Sequence, residues 1–418
     1  MEVKNILIFP AGTEIGLEIH NALKDSKFVK LFGATSIECH ADFVFANYIP
    51  ELAPFADDPD FIPYMNRIID QYGIDWIYPA HDSALLALAE HREELHCPLV
   101  APETKTVQIC RDKNKTYDYL AGQWYITRYY KSVDEVADYP VFIKPTVGQG
   151  ATDARRIDDR KHLEEAMNSG VEYAVCEYLP GKEFTVDCFS DKNGKLIFTN
   201  IRMRDQIISG IAVQCHPMPA DAEIVRIAED INSRLSFIGS WFFQLKYDVH
   251  GNYKLLEIAP RIAGTTTVTR NLGVNLEMLT LFAHWGYDVS IISNGNQEVM
   301  NRSFIRRYQT DIIYDAVYIE VEDTVILNGK INPDIMRFLY QADNQGKMIR
   351  LVSDSDRIFQ EYPVSPGLFR DVIAFPEKIE KNAIFISANE DHRRKIHCGF
   401  SIPVFSPDMV ECLIDWRA

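Results

Sequence analysis

The sequence has no apolar run long enough to span a membrane, which takes roughly 20 residues. The apolar segment near the amino terminus, residues 6–9, has only the length of a β-strand, and no cleavable signal pattern surrounds it. No later segment approaches the required length. We therefore expect a cytoplasmic protein with no membrane partner.

Cysteine pairs at metal-binding spacing are also absent. The eight cysteines are scattered along the chain, with no CxxC pair and no Cys/His cluster at zinc spacing. We expect reduced thiols that mostly fill the core and no structural zinc. The sequence likewise offers no Ser/His/Asp or Cys/His arrangement that would indicate a nucleophilic hydrolase.

Basic residues are outnumbered, with 43 Lys and Arg against 60 Asp and Glu and a net charge of −17. Such a surface repels a phosphate backbone, so a small-molecule substrate is favoured over nucleic acid. Hydrophobic residues make up 47% and charged residues 25%, which is typical of a folded globular protein. A chain of 418 residues predicts roughly two to four domains.

Residues 1–110 alternate between strand-like and helix-like patterns. Apolar runs of strand length lie at 6–9, 29–33, 76–79 and 98–101. The spacing of Ile15, Ile19 and Leu23 predicts a helix after the first of these strands. Because strand–helix alternation produces a parallel sheet covered on both faces, we predict a Rossmann-like domain.

Two features at the predicted strand ends allow two interpretations each. The loop 10–16 opens a helix, where backbone N–H groups can receive an anion, but it lacks the G-x-G-x-x-G spacing, which favours a tight strand-to-helix turn. His81 and Asp82 follow the strand 76–79, at the edge where α/β sheets bind ligands. A helix N-cap is the alternative for Asp82.

Residues 111–300 contain longer, alternating strands. They are predicted at 140–145, 173–179, 183–190, 195–204, 240–249 and 253–259. Hairpins connect several of them, which favours an antiparallel α+β arrangement, and an amphipathic helix at 222–235 should cover one face.

The most informative segment is the predicted hairpin 241–261, which turns at His250 and Gly251. In that register Gln244 lies directly across from Glu257 on the same face. Magnesium is usually held by one or two carboxylates together with substrate phosphates, so the two side chains form a candidate half-site for Mg–ATP. An ordinary surface hairpin is the alternative.

Segments that precede this hairpin contribute further candidate nucleotide-binding residues. Lys144 ends an apolar strand and is followed by a small loop containing Gly148 and Gly150, which is able to fold over phosphates. Further on, Glu177 and Glu183 flank a turn between two strands, at a separation suited to an adenine edge and a ribose.

In this order the segments resemble the ATP-grasp superfamily over about residues 1–300, including the preceding Rossmann-like domain. The resemblance implies that ATP is bound by Lys113, Lys144, Gly148, Gly150, Ala151, Glu177, Tyr178, Leu179, Glu183, Gln244 and Glu257. The two lysines would contact phosphate, residues 148–151 would form the phosphate lid, and residues 177–179 would form the adenine hinge. Glu183 would take the ribose hydroxyls, and Gln244 and Glu257 would bind Mg²⁺.

The resemblance also implies catalytic roles for Arg261, Arg204 and Lys144. Arg261 would stabilise the charge that develops on an acyl phosphate, for which a fixed guanidinium is well suited. Arg202 and Arg204 would hold the substrate carboxylate or the γ-phosphate, with a salt bridge as the alternative explanation for both.

The sequence around Gln244 and Glu257 resembles the carbamoyl-phosphate-synthetase-like branch of this superfamily, which includes many amino-acid ligases. It implies a carboxylate–amine ligase that uses ATP and Mg²⁺, takes a small-molecule carboxylate and amine, and releases ADP and phosphate. One departure is Ala259, which stands where the family's metal pair has an asparagine. A homodimer is compatible with the resemblance, and the oligomeric state stays open.

The last hundred residues resemble the haloacid-dehalogenase-like (HAD-like) fold. The resemblance rests on the strand in 314–327, on 350–353, on Lys378 or Lys381, and on 383–391. The expected nucleophilic aspartate is Glu320, the second acid is Glu322, and Ser387 and Ala388 replace metal-binding acids. We therefore predict a degenerate, non-hydrolytic domain. Its first helix should begin at Asn332 and stop near Gly346.

The predicted fold class is an α/β and α+β multidomain protein. It comprises a Rossmann-like pre-ATP-grasp domain at 1–110, an ATP-grasp domain of antiparallel sheets with helices at 111–300, and a small HAD-like α/β domain at 311–418. Three functions follow as alternatives. They are a carboxylate–amine ligase, a bifunctional enzyme with phosphatase activity, and a nucleotide-binding protein without turnover.

Overall fold

The computed structural model of the chain describes residues 2–148, 150–294, 299–353 and 371–417. They form two compact units, Met1–Phe304 and Ile305–Ala418. The first unit contains the segments predicted as the domains 1–110 and 111–300, and the second contains the segment 311–418. Among the described helices, none has both the length and the apolar character that a membrane crossing requires.

The first unit begins with a four-stranded parallel sheet in the order β3-β2-β1-β4. Separate apolar clusters pack on it, one around Met65 and Leu88 and another around Ile19 and Leu281. The predicted parallel sheet is therefore confirmed. Its elements are β1 Lys4–Phe9, α1 Glu14–Leu23, β2 Val29–Gly33, β3 Asn47–Tyr48, α2 Phe61–Tyr72, β4 Trp76–Pro79 and α3 Asp82–Glu90.

The prediction of a fourth strand at 98–101 is wrong, because the segment forms no strand in the structure. Only Leu99 pairs with the sheet, through a single bridge to Ile77. Pro98 and Pro102 flank this bridge, and proline has no N–H to extend a ladder. The segment leads instead to two short helices, α4 Thr104–Arg111 and α5 Lys113–Tyr119.

The loop 10–16 forms a tight turn that connects β1 to α1. Thr13 is the N-cap of α1, and its Oγ1 accepts a 2.9 Å hydrogen bond from the Gly16 N–H and donates to the Ala80 carbonyl. A Cβ on Gly16 would lie 2.7 Å from the Pro10 and Ala11 carbonyl oxygens. Glycine is required there because the backbone passes too close for any side chain.

The rest of the first unit is built on two antiparallel sheets, as predicted. The smaller has the order β5-β8-β6-β7. Its elements are β5 Tyr129–Tyr130, β6 Val141–Pro145, β7 Arg155–Ile157, α6 Arg160–Met167 and β8 Tyr173–Glu177.

The larger sheet has six strands in the order β13-β12-β9-β10-β11-β14. The predicted helix is confirmed as α7, which buries Ile224, Ile227, Ala228 and Ile231. The elements are β9 Glu183–Ser190, β10 Leu196–Ile208, β11 Ile211–Pro217, α7 Ala222–Arg234, β12 Gly239–Tyr247, β13 Tyr253–Ala259, α8 Thr267–Asn271, α9 Leu276–His284 and β14 Met300–Asn301.

Two features of this sheet differ from the sequence-based expectation. Strand β10 extends past residue 204 to Ile208 and returns as β11, which was not predicted. The charged residues Arg204 and Asp205 break the apolar alternation that marks a half-buried strand. The turn itself has a recognisable signal, because Ser209 and Gly210 both have positive φ (49° and 76°), as a two-residue hairpin turn requires.

The second unit contains a five-stranded parallel sheet in the order β19-β18-β15-β20-β21. The predicted helix is confirmed as α10. Asn332 caps it by accepting from the N–H groups of Asp334 and Ile335, and Gly346 follows it with a φ of 73°. The elements are β15 Ala316–Glu320, β16 Ile326–Leu327, β17 Lys330–Ile331, α10 Pro333–Asn344, β18 Met348–Val352, β19 Asp371–Ile373, β20 Ala383–Ile386, α11 Glu390–Phe400 and β21 Val404–Phe405.

Glu277, on α9, is a buried acid that the fold leaves without compensation. Its side chain is 0% exposed, and neither carboxylate oxygen has a hydrogen-bond partner among the described residues. Burial raises the pKa of Glu277 to about 8, and the nearby Glu18 acts in the same direction. The folded protein therefore holds Glu277 protonated at neutral pH.

We predict that Glu277→Gln stabilises the protein more at pH 8 than at pH 5. An unfolded chain ionises this group near its ordinary pKa of 4.5, whereas the folded chain keeps the proton until about pH 8. The wild type therefore loses up to about 1.4 kcal/mol of stability per pH unit across this window. Glutamine cannot ionise, so the variant avoids this loss.

Urea unfolding followed by tryptophan fluorescence at both pH values measures the effect. Glu229→Gln, at an exposed position on α7, is the matched control and should follow the wild type. A difference between Glu277→Gln and wild type that is the same at pH 5 and pH 8 would contradict the prediction.

Candidate functional site

A cavity of about 220 Å³ lies between the two antiparallel sheets of the first unit. Its walls come from β6 and β8 on one side and from β9, β10, β12 and β13 on the other. Of the ligand-binding and catalytic residues that the ATP-grasp resemblance implied, the structure brings together here all except Arg202 and Arg261. Those that line the cavity are Lys113, Lys144, Gly148, Gly150, Ala151, Glu177, Tyr178, Leu179, Glu183, Arg204, Gln244 and Glu257.

One end of the cavity is formed by the backbone that follows β8. The Glu177 carboxylate accepts a 2.8 Å hydrogen bond from the Arg128 N–H, and the Tyr178 ring packs against the Arg156 guanidinium. These side chains are thus engaged with the protein. Backbone groups of residues 177–179 and the buried Leu179 side chain remain to face the cavity. This end can hold a flat, largely apolar ring with polar edges.

Two lysines define the other end. Lys144 Nζ donates to the Leu256 carbonyl at 2.7 Å and lies over the Tyr117 ring, and Lys113 Nζ lies 3.4 Å from the Gly148 carbonyl oxygen. Within the described residues, neither ammonium has a carboxylate within 4 Å. Burial lowers the pKa of Lys113, and the neighbouring Lys144 adds to this against the opposing effect of Glu257. Because no described carboxylate pairs with either lysine, none competes with an incoming anion for them.

The predicted phosphate lid lies beside these lysines. Gly150 and Ala151 have positive φ values of 61° and 54°, and Gln149 lies outside the described residues. The loop touches the β10–β11 turn so closely that a Cβ on Gly210 would lie 2.4 Å from the Gly150 carbonyl carbon. Loop and turn both line the cavity.

Arg204 links several cavity residues. Its guanidinium is ion-paired with Glu183, and it donates to Gln244 Oε1 at 3.0 Å and to the Gly210 carbonyl at 2.7 Å. Of the two explanations that the sequence allowed for this arginine, the structure shows the salt bridge. The same holds for Arg202, which is 0% exposed and donates to both carboxylate oxygens of Asp187 at 2.6 and 2.8 Å.

The hairpin formed by β12 and β13 has the predicted register at the decisive position, with Gln244 paired to Glu257. A bulge follows immediately, because Leu245 pairs with Leu255. Gln244 Oε1 already accepts from Arg204, whereas the Glu257 carboxylate has no hydrogen bond or ion pair within the described residues. Carboxylate and amide oxygens suit Mg²⁺. Glu257 could bind the ion directly, whereas Gln244 Oε1 would first have to give up its hydrogen bond from Arg204.

Ala259 contributes no ligand, in line with the departure seen in the sequence. It is buried with Phe242 and Ala263 in a small apolar cluster. Nowhere in the described ranges do three or more His, Cys, Asp or Glu side chains group as metal ligands. A magnesium ion bound here would therefore need oxygen atoms from a bound phosphate to complete its shell.

Arg261, which also lies outside the larger cavity, lines an adjoining cavity of about 30 Å³. Its guanidinium donates to both oxygens of Asp82 at 2.6 Å. Burial opposes ionisation of Asp82, but the Arg261 charge outweighs it and lowers the pKa of Asp82 to about 2. The N-cap alternative for Asp82 is wrong, because His81 is the N-cap of α3 and Asp82 is its first residue.

Two further residues near these cavities were not singled out from the sequence. Tyr117 lines the larger cavity, and Arg111 lines the smaller one. A local signal for Arg111 exists, since α4 ends at Arg111 and Asp112 caps α5 by accepting from the Asn114 and Lys115 N–H groups. A capping aspartate between two short helices places both Arg111 and Lys113 at a helix junction.

In the second unit, several predicted residues meet at the carboxyl ends of the central strands. The Glu320 carboxylate accepts from Ser387 Oγ and lies 2.5 Å from His392 Nδ1, and Glu322 accepts from Ser353 Oγ at 2.6 Å. Both oxygens of Glu320 are therefore engaged. Lys378 and Lys381 are exposed. The HAD-like assignment stays a prediction.

Comparison with known proteins agrees with this geometry. A family model described as "ATP-grasp in the biosynthetic pathway with Ter operon" matches residues 170–301. No curated protein matches the sequence.

Several solved structures share the fold of the first unit. The biotin carboxylase domain of Hydrogenobacter thermophilus 2-oxoglutarate carboxylase, solved with MgADP, ADP and bicarbonate, has a TM-score of 0.59 at 16% identity, covering 72% of this chain and 74% of that one. Staphylococcus aureus N5-carboxyaminoimidazole synthetase, solved with ADP, has a TM-score of 0.60 at 18% identity, with coverages of 72% and 83%.

An L-amino acid ligase from Bacillus licheniformis has a TM-score of 0.53 at 20% identity, covering 68% of this chain and 74% of that one. At these identities the likeness establishes the fold alone. The larger unit has the ATP-grasp fold, and residues 170–301 carry an ATP-grasp family domain.

Proposed function

We propose that this chain is an ATP-dependent ligase that joins a carboxylate to an amine through an acyl phosphate and releases ADP and phosphate. One observation carries the proposal. Lys113, which is buried, and Lys144, which is half-buried, have no carboxylate partner among the described residues and line the same cavity between the two sheets as Glu257. Similar structures with ADP or MgADP bound support the same assignment.

The nucleotide would lie along the cavity with its adenine at the 177–179 backbone and its phosphates at the lysines. Leu179 has no partner for its N–H within the described residues, so it is available to donate to a ring nitrogen. Glu183, beside Arg204 and Lys246, would accept from the ribose hydroxyls. Lys113 and Lys144 would neutralise phosphate charge, and the Gly148–Ala151 backbone would cover it.

Glu257 and Gln244 would hold Mg²⁺, which would neutralise the negative charge that develops during phosphoryl transfer. The protein contributes mainly position and charge, because a carboxylate becomes a good electrophile once it carries a phosphoryl group. Arg261 would stabilise the acyl phosphate, while Asp82 holds its guanidinium in one orientation.

For the second unit we propose a non-hydrolytic role. A nucleophilic carboxylate needs a free oxygen, and both oxygens of Glu320 are engaged by Ser387 and His392. The unit then serves to hold structure or substrate.

We predict that Lys144→Met weakens the binding of a magnesium complex of a non-hydrolysable ATP analogue by about tenfold or more. The variant loses a charge-assisted contact to phosphate in a partly buried site. Isothermal titration calorimetry measures the dissociation constant. Lys115→Met, an exposed lysine in the same part of the chain, is the control and should bind like wild type. Equal affinities for all three proteins would contradict the assignment of the phosphate end.

We predict that Glu257→Gln lowers the rate of ADP release by about a hundredfold or more, because a metal ligand at the reacting phosphate is lost. The assay supplies Mg–ATP with a pool of carboxylic acids and amines and identifies ADP and any new amide by mass spectrometry. ADP together with a new amide in the wild type establishes ligation.

The non-catalytic alternative, suggested by Ala259, makes the opposite prediction. It requires tight nucleotide binding with no substrate-dependent ADP in the wild type. Substrate-dependent ADP release that disappears in Glu257→Gln would exclude it.

A further inference from the structure

The small cavity beside Arg261 opens onto the larger nucleotide cavity. Lys113, Gly148 and Glu257 line both spaces, so they form the boundary between them. The volume of about 30 Å³ matches roughly one water molecule or one carboxyl group. Any group placed there lies next to the reacting end of the nucleotide.

The arginines around the two cavities differ in their partners. Arg202, Arg204 and Arg261 each form an ion pair, with Asp187, Glu183 and Asp82 respectively. Their positive charges are balanced by the protein itself. A ligand anion gains less from a guanidinium that a carboxylate already neutralises, because the competing pair must first be broken.

Arg111 is different. It donates to two neutral oxygens, the Ser83 hydroxyl at 3.0 Å and the Gly148 carbonyl at 3.3 Å. Within the described ranges of the chain it has no carboxylate within 4 Å. Its guanidinium is only partly exposed, so its charge is screened less than that of a surface arginine.

Arg111 is also placed next to the phosphate-binding lysine. Its Nη1 and Lys113 Nζ both lie within 3.4 Å of the same Gly148 oxygen. An anion that replaces this carbonyl as their partner would touch both cations. The arrangement places this guanidinium on the far side of the boundary from the larger cavity, whose lining does not include Arg111. Asp82 lines the same small cavity, but both of its oxygens accept from Arg261.

We propose that the small cavity is the acceptor subsite of the ligase and that Arg111 binds the reacting carboxylate of the acid substrate there. The inference rests on the proposed function and assigns that site its recognition residue. The carboxyl group would occupy this small space and the rest of the acid would lie outside it, so that Arg111 recognises the anion rather than the chain attached to it.

The proposed reaction balances with these groups. A carboxylate oxygen attacks the γ-phosphorus of ATP, the bond from that phosphorus to the β–γ bridging oxygen breaks, and ADP leaves with the electron pair. The amine then attacks the acyl carbon, phosphate leaves, and the amine proton passes to solvent. Arg111 neutralises the carboxylate before transfer, so that two anions can approach each other.

The test compares wild type, Arg111→Met, Arg111→Lys and the control Lys115→Met. Two quantities are measured: the dissociation constant of the magnesium complex of a non-hydrolysable ATP analogue, and the KM for acid in ADP release. The acids supplied are acetate, succinate, L-alanine and L-glutamate, with ammonium as the amine. Circular dichroism confirms that each variant is folded.

We expect Arg111→Met to raise the KM for the acid by about tenfold or more, with the nucleotide dissociation constant changed by less than about twofold. Arg111→Lys should recover part of the loss because it restores the charge without the fork-shaped contact.

An unchanged KM in Arg111→Met overturns the subsite while leaving the ligase intact. A matching loss of nucleotide affinity overturns it as well, since Arg111 would then bind phosphate. Absence of acid-dependent ADP release in the wild type overturns the proposed function and this inference together.

Discussion

The antiparallel pairing of β12 with β13 is the constraint on which the candidate site depends. Side chains alternate between the two faces of a strand, so the register that pairs Gln244 with Glu257 also buries Phe243 and Ile258 in the core. A slip of one residue would bury the two oxygen ligands and expose the apolar pair. The core thus enforces the position of the candidate magnesium ligands.

A second organising feature is the distribution of charge pairs in the first unit. Arg202, Arg204 and Lys246 are matched by carboxylates, whereas Lys113 and Lys144 have no carboxylate within 4 Å in the described part of the chain. A protein of net charge −17 thereby keeps a local concentration of positive charge where an anionic ligand would enter. The pairing also explains how a fully buried Arg202 is tolerated, because Asp187 and Thr265 satisfy its donors.

The elements that the sequence predicted well are those with a local cause. Helix α10 follows from its cap, proline and apolar spacing, and the β12–β13 register follows from a short turn between alternating strands. The prediction of strands failed where the pairing depends on residues outside the strand itself. At 98–101 the prolines at 98 and 102 stop the pairing after one bridge. Strand β11 depends on pairing with β10, whose Arg204 faces the cavity rather than water.

By itself the sequence determined most of the strands and helices and the division into parallel and antiparallel sheets, because these depend on periodicity in short segments. Through its resemblance to the ATP-grasp superfamily it also indicated most of the residues that line the larger cavity. Only the tertiary structure decided which charges are compensated. Asp82 and Arg261 stand far apart in the chain, and so do Arg202 and Thr265, yet each pair is in contact in the fold. Contacts of this kind decide whether an arginine is held by the protein or is free to bind an anion. Charge pairing across a fold leaves no periodic trace in a single sequence, and the contrast between Arg111 and the other arginines therefore appears only once the chain is folded.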